Sequence, residues 1–396
     1  GLGPRGEKLA RKYLKRTGLK ILAENYRCVA GEADLIALDK SSDSIVIVEV
    51  KTRSSDRYVD PESAVTAAKR RRLRKVGVVG IHAHLMPTGK VLLFGYPETS
   101  RRGTDSRLWD PKTGKFEASS VPWQNVFCSG HSLLPDGRLF VTGGQNRNGK
   151  EAGIRNTHLF DATSNHWSRG PRMRAERWYP TNTTLPDGRV LITSGNDRRE
   201  RISRKVEVYD PASGRITSLR RAARRIELYP RMFVLPGGEV IRVGQESMSL
   251  TLDVAKRRWT RIAEQRRGHW EGNAVLLPGG RKILAVGGFT GRRAERTAEL
   301  LDTSASSPRW RATAPLRRAR GHANAVLLPD GTVLVVGGNR RGEGRQPVRT
   351  TELFDPTSES WSTVAPITTS RAYHSTALLL PDGRVLSTGQ DNKYTY

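Results

Sequence analysis

Two groups of residues in this 396-residue chain combine side-chain types that do chemistry when brought together. The first is Cys128, Tyr179, Tyr373 and His374: a thiol, two phenols and an imidazole. Such donors suit copper, which takes nitrogen and oxygen ligands in a tetragonal set when oxidised. A tyrosine can also store one oxidising equivalent, so copper and phenol together supply the two electrons needed to oxidise an alcohol or aldehyde. The second group is Asp34, Glu49 and Lys51, charges that interrupt the apolar runs Ala33–Leu38 and Ile45–Val50. Glu49 and Lys51, two apart on a strand, face the same side. Burying such charges is costly unless they act on something. Two carboxylates can hold magnesium, with Glu7 completing the ligand set, and the lysine can orient or deprotonate a water that attacks a phosphodiester. An ordinary ion pair at a strand edge is the competing reading of an isolated Glu-x-Lys.

The first group is spread over some 250 residues, and a repeat must gather it. Seven times an apolar stretch runs into a Pro-x-Gly turn and out into another, with the prolines at 87, 135, 186, 236, 278, 329 and 381. The proline presets the first turn torsion and the glycine supplies the positive φ that brings the chain back, so each is a β-hairpin. A later signature, as in Asp355-Pro356 followed by Trp361, adds two more strands. A period near fifty is that of a radial repeat, and four strands in each of seven repeats predict a seven-bladed β-propeller, with the last blade incomplete at Tyr396. Counting back seven residues from each turn proline gives Gly80, Cys128, Tyr179, Tyr229, Glu271, His322 and His374, with Tyr373 just before the last. Equal phase predicts that these converge at one end of the channel. In this register Tyr229 reads as packing and His322 as a satisfied loop histidine.

The Gly-Gly and Asp-Pro…Trp pattern resembles kelch blades. Phe127-Cys128-Ser129-Gly130-His131, Arg177-Trp178-Tyr179-Pro180-Thr181 and Ala372-Tyr373-His374-Ser375 resemble the motifs of the copper-radical oxidases, the galactose oxidase and glyoxal oxidase group. The resemblance covers residues 77–396. It implies a thioether between Cys128 and Tyr179, with Tyr179 as equatorial copper ligand and radical site. It makes Tyr373 the axial ligand and the base that takes the substrate hydroxyl proton, and His374 an equatorial ligand. Dioxygen would be reduced to hydrogen peroxide. In that group a further histidine comes from a domain after the propeller, and His131, His322 and His82 are the substitutes within this chain, though none lies in a matching motif.

Residues 1–76 depart from the period. A helical pattern around Glu7–Leu14 is followed by strand-like runs at Lys20–Ala23, Ala33–Leu38 and Ile45–Lys51 and a helix opened by Asp60-Pro61, an α-β-β-β-α order. Gly31-Glu32-Ala33-Asp34-Leu35-Ile36 and Val48-Glu49-Val50-Lys51-Thr52-Arg53 resemble the YraN family, which is similar to PD-(D/E)XK nucleases of the restriction-endonuclease and Holliday-junction-resolvase type. The resemblance implies a small α/β domain, cut short near Val76, that binds nucleic acid and can cleave it with magnesium at Asp34, Glu49 and Lys51. A fusion of two partial reading frames is the expected origin of the pairing.

Composition narrows the rest. The formal charge of +29 is spread through loops, and only Lys69–Lys75 is dense enough to suggest a phosphate-binding face. No apolar run approaches the roughly eighteen residues of a membrane span, so no membrane partner is expected. Cys28 and Cys128 do not make a disulfide framework. The chain opens on Gly1 without a charged-then-apolar leader, which leaves its compartment open and, as written, cytoplasmic. Three functions compete: an oxidase of small alcohols or aldehydes using dioxygen, a nuclease-like nucleic-acid binder, and a non-catalytic kelch scaffold.

Overall fold

A computed structural model describes residues 11–12, 14–16, 20–28, 31–39, 44–48, 78–97, 104–119, 124–146, 151–266, 268–342 and 345–390. The chain separates into two compact units, residues 1–70 and 71–396. In the first, residues 11–12 and 14–16 are helical. Strands Lys20–Cys28, Gly31–Asp39 and Ser44–Val48 then form an antiparallel sheet in chain order. Cys28 pairs with Gly31 and Asp39 with Ser44, so both connections are short. Asp34 lies within the middle strand. Glu7, Glu49, Lys51 and the segment opened by Asp60-Pro61 lie outside the described residues.

The second unit is almost entirely β. Among the described residues six four-stranded antiparallel sheets follow one another over residues 78–118, 130–169, 178–218, 231–264, 273–312 and 324–364, a two-stranded sheet closes the series at Ser375–Leu379 and Val385–Gly389, and a further four-stranded sheet of short strands joins Phe289–Thr290 and Arg293–Ala294 to Asn339–Arg341 and Arg345–Pro347. Each sheet of the series begins with the hairpin that the Pro-x-Gly signal predicts. At Leu185-Pro186-Asp187-Gly188 the Gly188 N–H donates to the Leu185 carbonyl at 2.9 Å, and Gly188 takes φ +82°. A Cβ at Gly188 would stand 2.6 Å from Cγ of Pro135, so the turns of successive sheets touch and glycine is needed for space as well as torsion.

The first strand of each sheet stands beside that of the next: Gly130–Leu133 beside Trp178–Thr184, then Arg231–Val234, Asn273–Leu276, Asn324–Leu327 and Ser375–Leu379, which in turn lies against Val78–Leu85. Apolar residues fill the spaces between sheets. Leu92 and Phe94 of the first sheet pack with Val141, Phe160 and Trp167 of the second, all buried. Tryptophans of the outer strands tie neighbours polar end first: Trp310 Nε1 donates to Ser249 Oγ at 2.8 Å, and Trp361 Nε1, of the Asp-Pro…Trp signature, to the Ala314 carbonyl at 2.7 Å. Ion pairs Arg177–Glu207 (2.7 Å) and Arg320–Glu352 (2.6 Å) are fully buried. Removing one partner of such a pair costs about 3–5 kcal/mol. Among the described residues no helix is long and apolar enough to cross a membrane.

Candidate active site

At the end of the sheets opposite the Pro-x-Gly turns, the first strands begin with one backbone conformation. Cys128, Tyr179, Tyr229, Glu271, His322 and His374 have φ of 58, 64, 45, 53, 54 and 60°. These are left-handed values that side chains other than glycine seldom adopt, and six at one register amount to a designed feature of the hub. Gly80, the seventh position, sits instead in a bulge, where the pairing register shifts between Val79 and His82.

The left-handed turn explains how neighbours in sequence reach one site. In a regular strand successive side chains point to opposite faces. At Tyr179 the positive φ breaks that alternation, and its ring lies on that of Trp178 with centroids 3.7 Å apart and planes within 10°. His374 does the same, stacking on Tyr373 at 3.9 Å. Tyr373 and His374 therefore both face Tyr179, whose hydroxyl is 2.7 Å from the Tyr373 hydroxyl and 3.0 Å from His374 Nε2. Tyr229 covers Tyr179 from the other side, with centroids at 4.4 Å, and donates its hydroxyl to the Ser129 carbonyl at 3.1 Å.

Cys128 is buried, and its carbonyl accepts the Tyr179 N–H at 2.9 Å. Burial pushes the Tyr179 phenol well up, and the nearby Cys128, Tyr373 and Tyr229, together with a hydrogen bond to the Cys128 thiol, push it further. Tyr229 is driven the same way by burial, then by Cys128 and Tyr373. Such phenols ionise only beside a compensating positive charge. A cluster of two phenols and an imidazole at hydrogen-bonding distance, partly buried, is a fitting receptor for a cation that takes oxygen and nitrogen donors.

His82, His131 and His322 line the same cavity as Tyr179, Tyr373 and His374. His322 Nδ1 is hydrogen-bonded to Asn339 Oδ1 at 2.8 Å. Its Nε2 lies 2.5 Å from Glu271 Oε2, at an angle too oblique for a hydrogen bond. His82 Nε2 accepts the Cys128 N–H at 3.1 Å, and His131 stands edge-on to His82 at 5.2 Å. Among the described residues no group of three or more His, Cys, Asp and Glu is arranged to hold a metal ion. The hub opens into a cavity of about 970 Å³, lined among others by Trp178, Tyr229, Trp270, Glu271, His322 and Tyr373. Sequence reasoning missed the roles of Trp178 and His82. The one signal for the first was its position directly before a hub residue.

Comparisons with known proteins bear on both units. The profile described as Glyoxal oxidase N-terminus matches residues 103–396, and that of Uncharacterised protein family UPF0102, the YraN family, matches residues 6–79. Galactose oxidase from Gibberella zeae is 29% identical over 350 residues, covering 79% of this chain and 50% of its own length. Aldehyde oxidase GLOX from Vitis pseudoreticulata is 27% identical over 358 residues, 80% of this chain and 66% of that protein. The chain thus spans half to just under two thirds of these relatives. A solved structure described as a novel fungal alcohol oxidase in complex with copper superposes with a TM-score of 0.69 at 26% identity, over 81% of this chain and 73% of that one. With the profile matching most of its length, the chain belongs to the glyoxal oxidase N-terminal family.

Proposed function

We propose that the second unit is a seven-bladed kelch-type β-propeller carrying a copper-radical oxidase site, which oxidises a small alcohol or aldehyde with dioxygen and yields hydrogen peroxide. The observation that carries this reading is the convergence of Tyr179, Tyr373 and His374 within 3.0 Å of one hydroxyl, with Cys128 alongside. The copper-bound structural neighbour and the galactose and aldehyde oxidase relatives support it.

Tyr179, Tyr373 and His374 would hold the ion through two phenolate oxygens and Nε2. Copper, when bound, supplies the one-electron chemistry that pairs with an oxidisable phenol. Tyr373 receives the substrate hydroxyl proton at Oη, as a base placed within reach of the reacting group. Trp178 and Tyr229 keep water from both faces of Tyr179. Joining Cys128 to Tyr179 as a thioether makes that phenol easier to oxidise. Exposure of the metal-free protein to copper and air should lower its intact mass by two hydrogens, and digestion should yield a Cys128–Tyr179 cross-linked peptide. An unchanged mass in folded, copper-loaded protein would favour a non-catalytic scaffold.

For residues 1–76 the UPF0102 match supports a second, separate reading, a nucleic-acid-binding segment of nuclease-like ancestry with Asp34, Glu49 and Lys51 as its site and magnesium as its ion. Magnesium-dependent nicking that persists in Glu49→Ala removes this assignment.

A further inference from the structure

Along the hub, three left-handed residues donate their N–H to the carbonyl of the hub residue before them: Tyr179 to Cys128 at 2.9 Å, Tyr229 to Tyr179 at 3.0 Å, and His322 to Glu271 at 2.9 Å. By that pattern Cys128 should donate to Gly80. It does not, because the bulge at Gly80-Ile81 takes the first strand out of phase. The Gly80 carbonyl is turned toward Gly389 of the last sheet, 2.9 Å from where a Cβ there would stand. The Cys128 N–H instead finds a side chain, His82 Nε2, at 3.1 Å.

His82 is built for that task. It is 7% exposed, stacks on Phe94 at 4.8 Å and meets the edge of His131 at 5.2 Å, so the ring has little freedom to turn. Accepting at Nε2 requires an imidazole without a proton there. Burial, followed by the charge of His374, lowers its pKa to about 3, which keeps the ring neutral. A buried N–H left without an acceptor loses its water with nothing in exchange, so this bond helps hold Cys128 in its left-handed conformation.

We propose that His82 is a positioning residue for formation of the Cys128–Tyr179 thioether: it replaces the hub carbonyl that the first sheet cannot supply and thereby aims the thiol at the Tyr179 ring. This rests on the cross-link reading above. In that step the Cys128 S–H and one ring C–H of Tyr179 give way to an S–C bond, and the two protons and two electrons released pass to dioxygen, giving hydrogen peroxide. His82 makes no bond to the reacting atoms. Its contribution is geometric, and small misplacements of reacting groups carry large rate costs.

The test follows the intact mass of metal-free protein after addition of copper and air, a readout independent of turnover. His82→Phe keeps the ring on Phe94 and removes the acceptor, and it should slow the loss of two hydrogens by roughly tenfold or more. His82→Gln returns an acceptor near Nε2 and should restore the rate to within about twofold. His82→Phe cross-linking at the unaltered rate, or His82→Gln as slow as His82→Phe, overturns the proposal. Amide exchange keeps the question decidable if His82→Phe does not fold. In the unaltered protein the Cys128 N–H should be as protected as those of Tyr179 and Tyr229, and exchange at the rate of an exposed amide would sink it. Failure of the unaltered chain to lose two hydrogens would refute the thioether itself, while the exchange measurement would still judge the grip of His82 on Cys128.

Discussion

The two sides of the hub share a backbone conformation and differ in what their side chains have found. On one side Tyr179, Tyr373 and His374 meet one another over 2.7–3.0 Å, under aromatic cover and beside a buried thiol. On the other, Glu271 and His322 hold the same left-handed turn, yet His322 is bonded to Asn339 and covered by the Glu271 carboxylate. The lesson is that the repeat supplies the stage and not the chemistry. Phenols and an imidazole of the hub meet one another on the first side, while His322, bonded to an amide and lying against an acid, is part of the cavity wall.

The sharpest way to break this contrast is Tyr179→Phe. The substitution removes the one hydroxyl shared by Tyr373 and His374 and leaves both stacked aromatic neighbours in place. The fold should survive, copper binding should weaken, and turnover should fall by roughly a thousandfold or more, as when a nucleophile or radical-bearing group is deleted. Copper titration followed by peroxide production checks it. Activity within tenfold of the unaltered protein would show that the phenols are not the site.

A smaller effect separates the sides by pH. His82 is held to about 3 and His158 to about 4, both by burial first, and His131 lies well below its ordinary value for the same reason. A histidine whose folded pKa is depressed below the unfolded 6.5 lets the unfolded chain take up protons first. The stability it confers is complete above pH 6.5 and is lost as pH falls toward the folded values. Each such group contributes up to about 1.4 kcal/mol per pH unit in that window. Denaturant melts should therefore be flat above pH 7 and weaken between 6.5 and 4, and His82→Gln should make the acid limb shallower. An unchanged limb would place the acid sensitivity outside the Cys128 side.

Much of this was legible in the chain, and the reasons for the remainder are physical. The Pro-x-Gly hairpins announce themselves because proline and glycine fix torsions, and counting from those prolines reaches Cys128, Tyr179 and His374 without any knowledge of their contacts. The left-handed conformation of those positions was hidden, since cysteine, tyrosine and glutamate carry no signal for positive φ and histidine only a weak one. Without it, the stack of Trp178 on Tyr179 contradicts strand alternation and could not be foreseen. The bulge at Gly80 was equally silent, so His82 read as a spare ligand when it is a hydrogen-bond acceptor for Cys128.

The mildest expected effect sharpens the comparison from the other side. His322→Phe deletes the imidazole that Glu271 and Asn339 surround, and a ring of similar shape can keep the contacts with Phe289 at 5.1 Å and Tyr373 at 4.9 Å. Glu271 is about a quarter exposed and can turn to water, so the loss of stability should stay near 1 kcal/mol. Because the polar contacts of His322 are to Asn339 and Glu271 and not to the phenols, the rate of cross-linking and the affinity for copper should be unchanged, while KM shifts by less than about tenfold as the cavity wall loses a polar group. A collapse of copper affinity in His322→Phe would enlist His322 as a ligand and erase the distinction between the two sides. A change in KM alone would mark it as the wall that the substrate touches.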